Sequence, residues 1–303
     1  DSKTGQPQVL TPAQLGSQLG PQLVSFVQQV QTDALRRSGN GGSAPYLSPQ
    51  QAWTVFQALP EDQRQLFAGQ VMLAILNRVG LDYNDASLPY AGRYGRGYQA
   101  IETLFPARLG YTQNRGVILN QATATAAPVV SDHTVVRHTG SLDMRGTTIQ
   151  TESGGDIAIL GPGGSVVVGG ASAPPSLPAD PTRNLLAAGA NSLGILTQQS
   201  GAIRMFSDNS VLLAQSRIFT EQGGDVLIWS SNGDINAGKG AKTSSEIPPL
   251  KFVCDDNLFC LVDAKSQVSG AGIAVLQNKP DTPTGSANLI APLLSLIHIS
   301  EPT

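Results

Sequence analysis

TESGGDIAILGPGGSVVVGG runs from Thr151 to Gly170, and TEQGGDVLIWSSNGDINAGK runs from Thr220 to Lys239. Aligned without gaps, the two strings share Thr, Glu, Gly, Gly, Asp, Ile, Gly and Gly. A third copy, GAIRMFSDNS, starts at Gly201, and a fourth, GSANLIAP, starts at Gly285. Self-similarity of this length is the mark of a stacked repeat. In a strand, successive side chains point to opposite faces. The third position of the repeat holds Ile157, Ile203, Val226 and Ala287, and the fifth holds Ile159, Met205, Ile228 and Leu289. Both positions are apolar in every copy and are expected to point inward. The position between them holds Ala158, Arg204, Leu227 and Asn288, a mixture expected to face out. Gly224 follows Gly201 by 23 residues, a suitable length for one solenoid coil.

A single coil cannot bury its own inward face. Stacking coils in parallel closes a continuous core and pairs the backbone along the stack. Glycine at the corners supplies positive φ. The expected fold is therefore a right-handed parallel β-helix over residues 111–293, the hand following from strand twist. A sandwich of antiparallel hairpins is the competing reading, with less reason to repeat a long string in register. One column is awkward. Leu160, Phe206, Trp229 and Ile290 should face outward by alternation, yet all are apolar. Either the chain bends there and buries them, or another part of the chain covers them.

Before residue 110 the pattern is helical. Thr11-Pro12 reads as a cap, and Gly20-Pro21 as a break between two helices. Ser38–Ser43 reads as a linker. Ser48-Pro49 opens a helix carrying Trp53 and Phe56. Pro60-Glu61-Asp62 opens the strongest one, with Phe67, Val71, Ala74, Ile75 and Arg78 as its stripe and Gly80 as its stop. A short helix near Tyr98 ends before Pro106. Residues 1–110 are thus expected to form a separate α-helical subdomain. Ala171–Pro181 and Glu246–Pro249 are excursions from the shaft.

Composition narrows the function. Charged residues make up 14% of the chain and the net charge is −3, with no basic stripe for a nucleic acid. No apolar run is long enough to span a bilayer. Asp1 reads as an internal start, and no signal peptide follows it. Cys254 and Cys260 flank five residues that include the turn-former Asp255-Asp256-Asn257. The pair reads first as a hairpin disulfide, which over so short a loop constrains the unfolded chain by only ~2–3 kcal/mol. Two free thiols are the alternative; a zinc site would need more ligands. His133 and His138 fall on opposite faces of a strand and read as a surface pair. The acids in GGDI and GGDV read as acceptors of turn N–H groups, with calcium as the sharper alternative. No nucleophile elbow or phosphate loop occurs. No cofactor and no metal are expected.

Several strings carry a resemblance. GGDVLIWSSNGDINAGKGAKT (Gly223–Thr243), VLLAQSRIFT (Val211–Thr220), LDYNDAS (Leu81–Ser87) and GRGYQAIETLFP (Gly95–Pro106) resemble the late region of filamentous-haemagglutinin-type exoproteins of two-partner secretion. The resemblance covers most of Leu47 to Pro292. It implies a secreted or cell-surface protein whose β-helical shaft serves adhesion to host-cell or surface glycans or proteins. It also implies an outer-membrane transporter as export partner, and it carries over no catalytic residue. Two other roles stay open: a β-helical polysaccharide lyase or hydrolase, and the shaft of a contact-dependent toxin-delivery protein. The last stretch, LSLIHISEPT from Leu294 to Thr303, resembles a translated sequencing adaptor. Residues 294–303, with His298, are set aside as a non-native tail.

Overall fold

The computed structural model describes residues 12–39, 42–106, 140–145, 147–169, 193–214, 216–238, 252–254, 260–262, 272–277 and 284–293. Four helices come first: α1 (Pro12–Arg37), α2 (Pro49–Ala58), α3 (Glu61–Tyr83) and α4 (Gly95–Leu104). The chain then passes four times through three short strands in the same order. Coil one holds β1 (Leu142–Asp143), β2 (Thr148–Thr151) and β3 (Ile157–Gly161). Coil two holds β4 (Val166–Val167), β5 (Gly194–Thr197) and β6 (Ile203–Ser207). Coil three holds β7 (Val211–Leu212), β8 (Arg217–Thr220) and β9 (Val226–Ser230). Coil four opens with β10 (Ile235–Asn236) and is interrupted by a hairpin of β11 (Phe252–Cys254) and β12 (Cys260–Val262). It closes with β13 (Gly272–Val275) and β14 (Ala287–Ile290).

Equivalent strands stack into three parallel sheets: β1-β4-β7-β10, β2-β5-β8-β13 and β3-β6-β9-β14. The arrangement is consistent with a parallel β-helix. Every pair within the three sheets is parallel, which a sandwich of antiparallel hairpins does not provide. In the third sheet Ile157, Ile203, Val226 and Ala287 are register partners, as are Ile159, Met205, Ile228 and Leu289. Six of these side chains are buried. Leu289 is half-buried and Ala287 is exposed; both sit on coil four, the last described rung. The second sheet adds a column of isoleucines, Ile149, Ile195, Ile218 and Ile273, and the first adds Val166, Val211 and Ile235. All belong to or pack against one core.

The corner between the second and third sheets explains the Thr-x-x-x-Gly wording. The hydroxyls of Thr151, Thr197 and Thr220 donate to the carbonyls of Gly155, Gly201 and Gly224 at 3.2, 2.8 and 2.9 Å. Those glycines have φ of +110°, +123° and +106°, and they lie directly over one another. A Cβ on Gly224 would stand 2.2 Å from the Gly201 carbonyl oxygen. No side chain fits such backbone-to-backbone stacking.

The helices correct several expectations. α1 runs unbroken through Pro21. Proline removes one intrahelical bond and costs roughly 3 kcal/mol, yet the buried stripe of Leu23, Val24 and Val27 continues beyond it against Ala52 and Phe67. Ser48 caps α2 as the sequence implies: its side chain accepts from the Gln51 N–H while Gln51 accepts from the Ser48 N–H. On α3 the buried stripe is Met72, Leu73, Leu76 and Val79, whereas Ala74, Ile75 and Arg78 are exposed. The run VMLAIL is apolar all round, so periodicity alone cannot choose its face. Nor does Gly80 stop the helix, which continues to Tyr83. His133, His138, the segments 171–181 and 246–249, and the tail 294–303 lie outside the described residues.

Two substitutions test this architecture. Ile228→Asp places an unpaired carboxylate among fully buried aliphatic side chains, and chemical denaturation should register a loss of at least ~3 kcal/mol. Gly224→Ala meets both the left-handed φ and the Gly201 carbonyl, and should cost about 1–3 kcal/mol in the same assay. Wild-type unfolding midpoints for both variants would contradict the stacked rungs.

Candidate functional site

The outward face of the third sheet carries the awkward apolar column, and helices cover it. Leu160, Phe206, Trp229 and Ile290 are register partners on coils one to four. Phe206, Trp229 and Ile290 form one core with Met72, Leu73, Leu76 and Val79 of α3 and Tyr98 and Ile101 of α4, with Leu160 packed at its margin. Of the two ways the column could be buried, coverage by the helices is the one realised. The helical region, expected as an α-helical subdomain of residues 1–110, is joined to the shaft through this core. Its second half shares a core with the third sheet, while α1 and α2 pack around Phe26, Phe56 and Phe67.

Glycine sets the approach. A Cβ on Gly69 would meet Leu160 Cδ1 at 3.0 Å, and one on Gly80 would meet Ile290 Cδ1 at 2.2 Å. α3 thus touches coil one at one end and coil four at the other. From Gly69 to Gly80 a helix rises about 16 Å. The three rung spacings between coils one and four total about 14 Å. The lengths match only if α3 lies nearly along the stacking direction and spans all four rungs. α4 seats the aromatic centre: a Cβ on Gly97 would be 2.6 Å from the edge of the Trp229 ring. Tyr94 and Tyr98 meet that ring edge-on at 5.6 and 5.7 Å. The Tyr98 hydroxyl donates to the Ser231 carbonyl at 2.8 Å, and the Trp229 indole N–H donates to the Ser231 hydroxyl at 3.0 Å. Phe105 stacks on Phe206 at 5.8 Å, and Asn288 bonds Asn77 across the seam at 2.9 Å.

An ion latch closes the far end. Asp82 is buried and receives Arg78 at 2.8 Å and Arg96 at 2.7 Å. The Arg96 guanidinium also lies 3.8 Å over the Tyr90 ring. Asp82 comes from the LDYNDAS string and Arg96 from GRGYQ, so the two helical strings of the resemblance meet here. Beside them, the hydroxyl and N–H of Ser87 donate to Asp85 and hold its carboxyl below the ordinary value. Tyr94 stacks on Tyr83 at 4.2 Å, and burial pushes its phenol up to about 12.

The acids of the repeat serve the stacking itself. Asp156 accepts the Ala202 N–H of the next coil at 2.9 Å and pairs with Arg204. Asp225 accepts the N–H and hydroxyl of Ser286, again on the next coil, at 2.8 and 2.9 Å. The sequence reads these acids as acceptors of turn N–H groups, and the N–H groups they accept follow the corner glycines of the next coil. Arg217 and Glu221, which sequence reasoning passed over, are both buried on coil three. Desolvation lowers the Arg217 guanidinium and raises the Glu221 carboxyl, and each charge partly offsets the shift of the other. Among the described residues no group of three or more His, Cys, Asp or Glu side chains could hold a metal ion. No helix among them is long and apolar enough to cross a membrane. Asp255 and Asp256 lie outside the described residues, but Cys254 and Cys260 are direct register partners in the β11–β12 pair.

Residues 223–299 match a family described as filamentous haemagglutinin family outer membrane protein. The match opens at the Gly223-Gly224 corner of coil three, runs through coil four, and extends into the tail that begins at residue 294. It covers about a quarter of the chain and supports a surface protein of the filamentous-haemagglutinin type. Comparison with curated proteins and with solved structures found no match.

The seam yields two predictions. Gly97→Val drives a rigid branched side chain against Trp229 and should cost about 1–3 kcal/mol by overpacking. In a Trp53→Phe background, Trp229 emission should shift to the red while the β signal of the coils persists; unchanged emission would refute the contact. Tyr94 has a folded-state pKa above its unfolded value of about 10. Stability from its neutral phenol is thus complete below about pH 10 and is lost as pH rises towards about 12. Tyr94→Phe should flatten the fall in melting temperature over that window.

Proposed function

We propose that this chain is a structural and adhesive segment of a large secreted bacterial cell-surface exoprotein. The observation that carries the reading is the haemagglutinin-type match at residues 223–299, lying on rungs stacked in register. The shaft is a right-handed parallel β-helix, and its role is to hold binding surfaces away from the cell. The partners proposed are glycans or proteins of host cells or other surfaces, with an outer-membrane transporter of two-partner secretion as the export partner. The chain is not an enzyme on this reading. In support, carboxylates of the shaft are engaged in holding rungs together: Asp156 and Asp225 both bond to the next coil. A polysaccharide lyase or hydrolase would instead gather acids with a base in one open groove.

On this reading the binding surface lies on the insertions of the shaft. Both long insertions of the shaft leave from the corner between the first and second sheets, after β4 and after β10. That corner is the one that the third sheet, which α3 and α4 cover, does not help to form. The test is direct. Beads coated with the purified chain should bind cultured epithelial cells or a glycan array, and replacing residues 171–181 and 252–262 with short glycine linkers should abolish binding while the β signal persists. Release of unsaturated uronate products from uronate polymers, without cell or glycan binding, would replace the adhesive reading with the lyase.

A further inference from the structure

The inserted hairpin of coil four holds both cysteines of the chain. Its two strands pair antiparallel, with Phe252 opposite Val262, Val253 opposite Leu261 and Cys254 opposite Cys260. Directly opposed residues of an antiparallel pair share a face of the ribbon. Their Cα atoms are about 4.5 Å apart in a non-hydrogen-bonded pair and about 5.5 Å in a hydrogen-bonded one. Both values fall inside the ~4.4–6.8 Å window that a disulfide requires. The register alone therefore satisfies the distance condition, whichever kind of pair this is.

We propose that Cys254 and Cys260 form an intrachain disulfide that closes the hairpin as a covalent loop on the insertion corner of the shaft. The oxidant is a second disulfide, either glutathione disulfide or an oxidised dithiol oxidoreductase. One cysteine thiolate attacks a sulfur of that disulfide, giving a mixed disulfide and expelling one thiolate. The other cysteine then attacks the protein sulfur of the mixed bond and expels the second thiolate. The two cysteines lose two protons and two electrons, and the oxidant is reduced to two thiols. The rungs take no part in this bond. β10 pairs with β7 and β13 with β8, so the ladder is continuous on both sides of the hairpin. The bond closes the hairpin and leaves the stack alone. This site does not depend on the adhesive reading, and it would stand if the chain bound no cell.

Tryptic cleavage after Lys251 and Lys265 isolates one peptide, Phe252–Lys265, that contains both cysteines. The full chain is incubated with glutathione disulfide, alkylated without reductant, digested and weighed. The expected peptide is two hydrogens lighter than the dithiol and unlabelled, and it takes two labels once reduced. Cys254→Ser should leave Cys260 accepting one label or one glutathione. Two labels without reductant, or a covalent dimer on a non-reducing gel, would overturn the proposal. A glutathione titration separates the fold from mere nearness in sequence. If the register brings the thiols together, the folded chain should half-oxidise at an oxidant level about tenfold or more below that of the urea-unfolded chain. Equal midpoints would show that the hairpin does not position them.

Discussion

A rung of this protein can bury its inward side chains only beneath another rung. That single constraint orders the rest of the structure. Because neighbouring strands repeat at about 4.8 Å, each position sees the same position of the coil above and below it. Residues of one column must then be mutually compatible, which is why the second sheet stacks four isoleucines and the third stacks Ile157, Ile203 and Val226. The constraint reaches the backbone too. Gly155, Gly201, Gly224 and Gly285 stack so closely that a Cβ on any of the last three would stand 2.1–2.2 Å from the carbonyl oxygen beneath. The aspartates that follow the first and third of these glycines bond to the next coil and add direction to the stacking.

The same repetition has a consequence outside the stack. If one outward position is large and apolar on every rung, an apolar ridge forms along the shaft. Leu160, Phe206, Trp229 and Ile290 make such a ridge. A second sheet could cover it, but a helix along the ridge does so with one element, since its length scales with rung number. α3 uses glycine at both contact ends and bulky aliphatic residues between them, so it follows a ridge whose height varies from leucine to tryptophan. Trp229 is the tallest point, and there α4 makes room with Gly97, which faces the ring.

The third sheet was readable because a fixed corner precedes it. A glycine stands two residues before each strand (Gly155, Gly201, Gly224 and Gly285), joined by Thr, a second Gly and Asp before β3 and β9, and alternation from that mark gives the inward pair. The first sheet left no such trace. Its strands are two residues long, too short for a period to register. The second sheet was hidden for another reason. Gly194–Thr197 and Arg217–Thr220 are buried at every position, so no alternation of apolar and polar residues survives. The helices were located well and faced poorly. VMLAIL offers apolar residues in every direction, and the partner that selects Met72, Leu73, Leu76 and Val79 lies more than a hundred residues later in the chain. Gly80 misled because a glycine near a helix end has two physical uses, termination and close approach, and the sequence does not distinguish them. Of the candidate site, the apolar column was visible as a contradiction; the helices that resolve it were visible only as helices.

Where the coil tolerates insertion follows from which corners are tied. Between the second and third sheets, the threonine-to-glycine bond spans four residues in coils one, two and three, and it fixes the corner length. Coil four has Val275 in place of threonine, and there the same corner runs longer before β14 begins. Between the third sheet and the first, Ser207 and Ser230 bond their hydroxyls to turn carbonyls, which keeps that corner short as well. Among the described residues, the corner between the first and second sheets shows no comparable side-chain tie repeated from coil to coil. Coils one and three cross it briefly, whereas coils two and four carry their long insertions there. Backbone pairing on either side is indifferent to what lies between, because β4 and β5 dock on separate sheets, as do β10 and β13. A shaft built this way can change the segments between β4 and β5 and between β10 and β13 without changing its rungs.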